Sequence, residues 1–194
     1  ISPKAIAQSI TKKTKAIIPV HFAGLPCNMD SIQSVADKHS LQVIEDAAHA
    51  IEAVWNGKKI GTISKFTCFS FYATKNITTG EGGMVTTDDA KLAEKISILG
   101  LHGLSKGAWS RYAAHAEEGF KHYEVLYPGY KYNMMDLQAA IGIHQLDKVN
   151  KFLAKREDIW KKYNESFSSL PVFLPSTFFS RANCLAIMIS QRSL

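Results

Sequence analysis

The chain has 194 residues, of which 46% are hydrophobic and 21% are charged, and 23 Lys and Arg against 17 Asp and Glu give a formal net charge of +6. This is the composition of an ordinary globular domain with one sizeable core, without low-complexity tracts. Because the basic residues are spread along the chain, nucleic-acid binding is a weak hypothesis and an anionic small molecule fits as well.

The start of the chain and its cysteines bear on location. No apolar run approaches the roughly 20 residues that a membrane span needs, and ISPKAIAQSITKKTK lacks the apolar centre of a signal peptide. We therefore predict a cytoplasmic protein. Cys27, Cys68 and Cys184 are far apart and odd in number, which matches neither a disulfide framework nor a zinc spacing. Since the first residue is Ile, we expect a piece of a longer protein.

The first predicted elements alternate between strand and helix. A short apolar run, KAIIPVHF (15–22), precedes turn residues and then MDSIQSVADKHS (29–40), whose apolar residues have helical spacing. LQVIEDA (41–47) predicts a second strand, which ends at Glu45 and Asp46. This order argues for a parallel α/β unit, in which ligands gather at the carboxyl ends of strands.

Two more strands are predicted downstream. After a polar turn, NGKKIGT (56–62), the segment KFTCFSFY (65–72) is rich in β-branched and aromatic residues, and GGMVTTDD (82–89) predicts another strand. Asp88 or Asp89 is expected to cap the following helix, AKLAEKISILG, which closes on Gly100.

The remaining chain is less regular. Residues 101–127 show no period, which is typical of functional or mobile segments. From Asp136 an apolar stripe with charges opposite predicts one long helix that ends near Leu170. Beyond it no clear period is visible.

One lysine, one serine and one aspartate have the spacing that a pyridoxal phosphate (PLP) site would need. Lys75 follows a strand, five residues after Ser70 and 29 after Asp46, which ends the neighbouring strand. The aldehyde of PLP needs an amine, its pyridine nitrogen needs an anionic partner, and its phosphate needs hydroxyl donors. Taken separately these signals are weak, because exposed lysines and surface acids are common.

Three segments resemble the diagnostic segments of the DegT-type sugar aminotransferases, which are PLP enzymes of fold type I. They are VIEDAAHA (43–50), CFSFYATKNITTGEGGMVTTDD (68–89) and PGYKYNMMDLQAAIGIHQL (128–146), and the resemblance runs in order from about Thr14 to Pro175. It implies an α/β fold, a fragment of the fold type I large domain, whose mostly parallel mixed sheet is flanked by helices. A long helix would lead toward a missing small domain.

The resemblance also implies three regions and the roles of four residues. Residues 1–135 would be part of the PLP-binding large domain, 136–170 a long inter-domain helix, and 171–194 the start of a truncated or atypical C-terminal region. Lys75 would form the Schiff base with PLP and then move the substrate proton. Asp46 would pair with the pyridinium nitrogen, His49 would lie against the phenolic oxygen, and Ser70 would hydrogen-bond the phosphate.

Two further segments are interpreted with the same resemblance. GYKYNMMD resembles the segment that reaches into the neighbouring subunit and contacts the cofactor phosphate, through either Lys131 or Asn133. The run from Gly80 to Gly83 lacks the lysine spacing of a P-loop and is interpreted as a tight turn, in which glycine supplies positive φ and close approach.

Residues of the irregular segment are candidates for specificity rather than for metal binding. The spacing of His102, His115 and His122 matches no metal site, and none is predicted. Three residues are instead candidates for lining a sugar-nucleotide pocket: Trp109, Arg111 and Tyr112.

The leading hypothesis is a PLP-dependent aminotransferase that moves an amino group from an amino acid, by family analogy glutamate, to a keto group of a nucleotide-linked sugar. Such enzymes serve polysaccharide or glycoconjugate biosynthesis, lipopolysaccharide included, and the full-length protein is expected to be a homodimer. Two alternatives are a truncated, non-catalytic fragment of such an enzyme and a sugar dehydratase relative. The dehydratases have His at the lysine position, so Lys75 argues against them.

Overall fold

The structure, a computed structural model, describes residues 1–105 and 124–171. The chain divides into two compact units. The first comprises Ile1–Thr86 and the chain from Asp136 onward, and the second comprises Thr87–Met135.

A four-stranded mixed sheet forms the centre of the first unit. Its strands are β1 (Ala16–Ile17), β2 (Gln42–Asp46), β5 (Phe66–Ser70) and β6 (Gly83–Thr86), and they lie in the order β1-β2-β5-β6. β1 pairs parallel with β2 and β2 parallel with β5, whereas β6 runs antiparallel to β5. Both α/β predictions, strand–helix–strand order and a mostly parallel sheet, are confirmed.

The first strand is shorter than the apolar run 15–22 suggests. Pro19 has no amide hydrogen to give to a ladder, and the chain rejoins the sheet only where Val20 bridges to Asp46. A short 3₁₀ turn, Phe22–Gly24, follows, with Ala23 in the left-handed region at φ 54°.

Helices α1 (Pro3–Ser9) and α2 (Met29–Lys38) belong to the same unit. Asn28 caps α2 because its side-chain oxygen accepts the Ser31 N–H at 3.0 Å. The apolar face of α2 buries Met29, Ile32 and Ala36 completely, which places this helix in the core.

A small hairpin spans residues 54–59, and its loop and second strand lie in the segment 56–62, where only a polar turn is predicted. Strands β3 (Val54–Trp55) and β4 (Lys58–Lys59) are antiparallel, and Trp55 is paired with Lys58. The two intervening residues, Asn56 and Gly57, have φ of 45° and 80°, as two-residue hairpin loops require.

The glycine run before β6 forms the predicted tight turn. Gly80 has φ of 80° and Gly82 has φ of 152°. A Cβ on Gly83 would lie 2.8 Å from the Phe69 carbonyl oxygen, so β6 approaches β5 more closely there than any side chain allows.

In the second unit, helix α3 (Ala90–Gly100) begins at the predicted cap. The Asp89 carboxylate accepts the Lys91 and Leu92 amides at 3.0 and 3.1 Å. The sugar-pocket candidates Trp109, Arg111 and Tyr112, and also His115 and His122, lie outside the described residues.

The predicted long helix is two helices, α4 (Asp136–Leu146) and α5 (Val149–Phe167). At the break the Lys148 amide donates to the Gln145 carbonyl, three residues back rather than four. Neither Gly nor Pro marks this position, so the pattern does not signal it. Among the helices of residues 1–105 and 124–171, none is long and apolar enough to cross a membrane.

Candidate functional site

Four of the predicted site residues lie at or just after the carboxyl ends of β2 and β5, at the same edge of the sheet. Asp46 is the last residue of β2, and the register pairs it with Cys68 on the adjacent parallel strand β5. Ser70, which ends β5, therefore lies two residues further toward the carboxyl edge. His49 follows β2, and Lys75 lies in the loop formed by residues 71–82, which we call the Lys75 loop.

Asp46 brings a half-buried carboxylate to this edge. Its main chain is fixed, because its amide donates to the Pro19 carbonyl at 2.9 Å and its carbonyl accepts the His21 amide at 3.0 Å. Oδ1 accepts the Ala48 N–H at 3.0 Å. Burial raises the pKa of the neighbouring Cys68 thiol, and the negative charge of Asp46 raises that pKa further. A carboxylate thus lies where the sequence predicts the partner of the pyridinium nitrogen.

His49 uses one ring nitrogen structurally and keeps the other as a donor. The Ala23 amide donates to His49 Nδ1 at 3.2 Å, and the Phe22 ring meets the imidazole edge to face at 5.8 Å. Because Nδ1 accepts a hydrogen bond, the neutral ring carries its hydrogen on Nε2.

The Lys75 loop is closed at its base by hydrogen bonds to Phe71. The Thr79 amide and the Thr78 hydroxyl donate to the Phe71 carbonyl at 2.9 and 3.1 Å. Within the loop the Lys75 amide donates to the Tyr72 carbonyl at 3.0 Å. The side chain of Lys75 is half-buried, and its amine has no hydrogen-bond or ion-pair partner among the described residues. Its reach is set by the backbone alone.

Lys131 and Asn133 lie in the second unit, and both are exposed. The Lys131 amine donates to the Asn133 side-chain oxygen. The two alternative phosphate contacts of the GYKYN segment are therefore hydrogen-bonded to each other, and their role remains a prediction.

Glu45, the neighbour of Asp46, points to the opposite face of β2 and is fully buried. Its carboxylate accepts hydrogen bonds from His21 Nε2 at 2.8 Å, from the Ser64 amide at 2.9 Å and from the Thr67 hydroxyl at 3.0 Å. Burial alone would raise the pKa of Glu45, but the hydrogen bonds from His21, Ser64 and Thr67 outweigh it and lower the pKa below its ordinary value. Glu45 therefore connects β2 to β5 through Thr67, and its carboxylate lies on the face of β2 opposite to Asp46.

A second buried acid, Glu52, was not predicted from the sequence. Its Oε2 accepts the Asn76 side-chain amide at 2.6 Å, and its Oε1 accepts a guanidinium nitrogen of Arg156 from α5. Asn76 follows Lys75 directly and is part of the quoted motif, so it offered a signal. Neither Glu52 nor Arg156 did, because a pair 104 residues apart leaves no local pattern.

The donor set at the sheet edge fits PLP. The site offers a carboxylate, an imidazole N–H, a hydroxyl and an amine that has no partner in the described part of the chain. These groups match the ring nitrogen, the phenolic oxygen, the phosphate and the aldehyde of the cofactor. Residues 1–105 and 124–171 contain no group of three or more His, Cys, Asp or Glu side chains that could hold a metal ion.

Comparison with known proteins gives a family match over nearly the whole chain. The model described as "DegT/DnrJ/EryC1/StrS aminotransferase family" matches residues 1–193. An uncharacterized protein of Methanocaldococcus jannaschii, MJ1066, is 58% identical over 91% of this chain and 45% of its own length. The spore coat polysaccharide biosynthesis protein SpsC of Bacillus subtilis is 51% identical over 88% of this chain and 43% of its own length. The chain thus spans less than half of these curated relatives.

Solved structures share the fold. The putative sugar aminotransferase Spr1654 of Streptococcus pneumoniae, in its PMP form, matches with a TM-score of 0.83 and 31% identity over 95% of this chain and 49% of that one. The same protein is also solved in its PLP form. DesI, solved in the presence of its TDP-sugar product, matches with a TM-score of 0.79 and 30% identity over 94% of this chain and 43% of that one. The predicted fold type I class is confirmed.

Proposed function

Because the chain belongs to the DegT/DnrJ/EryC1/StrS aminotransferase family, whose aminotransferases depend on PLP, we propose that the complete protein is a PLP-dependent sugar aminotransferase. It takes the amino group from an amino acid, glutamate, and transfers it to the keto group of a nucleotide-linked sugar. The observation that carries the proposal is the convergence of Asp46, Ser70 and the Lys75 loop at the carboxyl edge of β2 and β5.

Each side chain has a chemical task in this proposal. When bound, PLP supplies an electron sink for the substrate carbon. Lys75 would hold the cofactor through its amine and would carry a proton to and from the substrate carbon. Asp46 would pair with the ring nitrogen and keep it protonated. Nε2–H of His49 would donate to the phenolic oxygen, and the Ser70 hydroxyl would donate to the phosphate.

The second unit has a task in the neighbouring subunit. Lys131 or Asn133 would donate to the phosphate bound by a second copy, which requires a homodimer of the complete protein. The mutual hydrogen bond of these two side chains supports their action as one group, because whichever contacts the phosphate is oriented by the other.

Two relatives support the substrate class. SpsC is described as a polysaccharide biosynthesis protein, and DesI was solved with its TDP-sugar product. We propose that this protein aminates a nucleotide sugar in the cytoplasm for a surface polysaccharide such as lipopolysaccharide.

The test uses the complete protein and a pair of lysine variants. Lys75→Ala should abolish transamination, the absorbance of lysine-bound PLP and its fixation by borohydride. Lys58→Ala changes an exposed lysine of the β3–β4 hairpin and should leave all three intact. Borohydride labelling on a lysine other than Lys75, or retained turnover of Lys75→Ala, would contradict the assignment.

Two other activities are separated by the products. A screen of ketosugar nucleotides with glutamate should yield aminated sugar and 2-oxoglutarate in equal amounts. A dehydratase would instead release a deoxygenated sugar without an amino group, together with ammonia and 2-oxoglutarate. The second candidate function is that of a non-catalytic fragment, since the 194-residue chain spans less than half of its curated relatives. PLP binding by this chain without turnover would identify it as such a fragment.

A further inference from the structure

A buried ion pair lies beside the Lys75 loop. The Glu52 side chain is 3% exposed and the Arg156 side chain 19%, and the Arg156 guanidinium donates to Glu52 Oε1. A carboxylate removed from water to this extent is stable only when it is paired and its lone pairs are used. Arg156 supplies the charge, and this leaves Oε2 of Glu52 for a second donor.

That second donor is the residue next to Lys75. The Asn76 side-chain amide donates to Glu52 Oε2 at 2.6 Å. Helix α5 therefore acts on the loop in two steps, since Arg156 fixes the Glu52 carboxylate and the carboxylate fixes Asn76. The hydrogen bond of Asn76 holds the chain one residue from the amine-bearing position.

The Lys75 amide itself donates to the Tyr72 carbonyl at 3.0 Å, and the remaining fixed points of the loop lie further from Lys75. The Phe71 carbonyl holds Thr78 and Thr79, and the Gln145 side chain of α4 accepts the Thr78 amide at 3.3 Å. The Lys75 amine has no hydrogen-bond or ion-pair partner among the described residues. The position of the amine therefore depends on the position of the Lys75 backbone.

We propose that Glu52, Arg156 and Asn76 form a positioning clamp that sets the place of the Lys75 backbone, and with it the reach of the amine toward the carbonyl carbon it attacks. The inference rests on the proposed function, in which Lys75 is the reacting amine. The three residues are positioning residues, because they act on Lys75 through the loop. A displacement of about 1 Å at a reacting group can slow a reaction on the order of a hundredfold.

The experiment exchanges donor and acceptor in the clamp of the complete protein. Asn76→Ala removes the donor and leaves the Glu52–Arg156 pair intact. Asn76→Asp puts a second carboxylate against Glu52. The double variant Glu52→Gln/Asn76→Asp restores one hydrogen bond in the reverse direction, while the remaining side-chain oxygen at position 52 still accepts from Arg156. Gln145→Ala is the matched control, because it removes the amide side chain that contacts the same loop at Thr78.

Three quantities are measured: the rate at which added PLP becomes fixable by borohydride on Lys75, the pH midpoint of the absorbance of the lysine-bound cofactor, and the urea midpoint of the cofactor-free protein. Asn76→Ala should slow the first by about tenfold or more and shift the second. The urea midpoint should fall, because Glu52 Oε2 loses its donor, but the protein should remain folded without urea. Asn76→Asp should be slower still. The double variant should recover most of the rate, and Gln145→Ala should stay within about twofold.

The possible failures are distinct. An unchanged rate and pH midpoint in Asn76→Ala would refute the clamp while Lys75 labelling upholds the proposed function. A slow Asn76→Asp that the double variant does not rescue would also refute it, because the effect would not pass through Glu52. Absence of Lys75 labelling in the original protein would refute the proposed function and the clamp together.

Discussion

The adjacent acids Glu45 and Asp46 should respond oppositely to removal of their charge. In Glu45→Gln, one side-chain oxygen can still accept from the Ser64 amide and the Thr67 hydroxyl, and the new amide then faces His21 Nε2. That nitrogen already carries a hydrogen, because His21 Nδ1 accepts the Cys27 amide at 3.0 Å. Two donors meet in a fully buried place, and we expect a loss of about 2–4 kcal/mol in the free energy of unfolding.

Asp46→Asn is the matched comparison. The amide oxygen at position 46 can still accept the Ala48 N–H, so the free energy of unfolding should change by less than about 1 kcal/mol. Under the proposed function, turnover should instead be lost, because the ring nitrogen of PLP would lose its anionic partner. Glu45→Gln should keep the absorbance of lysine-bound PLP wherever it is folded.

The assay is urea unfolding of the cofactor-free complete protein at neutral pH, with the midpoint and slope fitted together. Glu45→Gln should lower the midpoint at unchanged slope. An equal midpoint for Glu45→Gln and the original protein would refute the reasoning, and so would a large loss of stability in Asp46→Asn.

The same comparison has a pH dependence with a defined sign. The pKa of Glu45 is lower in the folded protein than its ordinary value of 4.5. Its contribution to stability is therefore complete above about pH 4.5 and is lost as the pH falls through the folded-state pKa. The difference in unfolding free energy between Glu45→Gln and the original protein should shrink below pH 4.5. A difference that is constant down to the acid limit of folding would contradict the assignment.

Two further predictions concern the β5 strand. Gly83→Ala puts a methyl group 2.8 Å from the Phe69 carbonyl oxygen, so the urea midpoint should fall by an amount that corresponds to about 1–3 kcal/mol. An unchanged midpoint would show that β6 moves away from β5 at little cost in free energy. Burial and then the Asp46 charge raise the pKa of the Cys68 thiol, so alkylation of Cys68 should be slow in the native protein and faster in Asp46→Asn. Mass spectrometry of the modified peptide measures both rates. Equal rates would contradict the electrostatic effect of Asp46.

The sequence predicted those elements whose signals are local. The spacing of Met29, Ile32 and Ala36 indicated α2, and Asp89 indicated the start of α3. Gly80, Gly82 and Gly83 indicated a tight turn into β6. The structure gives Gly80 and Gly82 a positive φ and places Gly83 in close contact with β5. The family motifs carried the candidate site, and the parallel pairing of β2 with β5 explains why Asp46 and Ser70 reach the same edge.

The features that the sequence did not predict depend on distant contacts. Composition does not distinguish Glu45 from Asp46, because alternation along β2 decides which acid is buried and which faces the candidate site. The Glu52–Arg156 pair depends on how α5 packs, which no local pattern encodes. The break after α4 lacks Gly and Pro, so the apolar stripe continued across it.

The separation of Glu52 from Arg156 has a consequence for the order of events during synthesis. β2 and β5 are complete by residue 70, and the β5–β6 pair by residue 86. The ion pair spans 104 positions, so the Asn76 acceptor reaches its final state only after α5 has left the ribosome. All strands of the sheet are thus made before α5 is synthesised. The Lys75 loop would reach its final structure late, and a nascent chain would bind little cofactor before α5 is made.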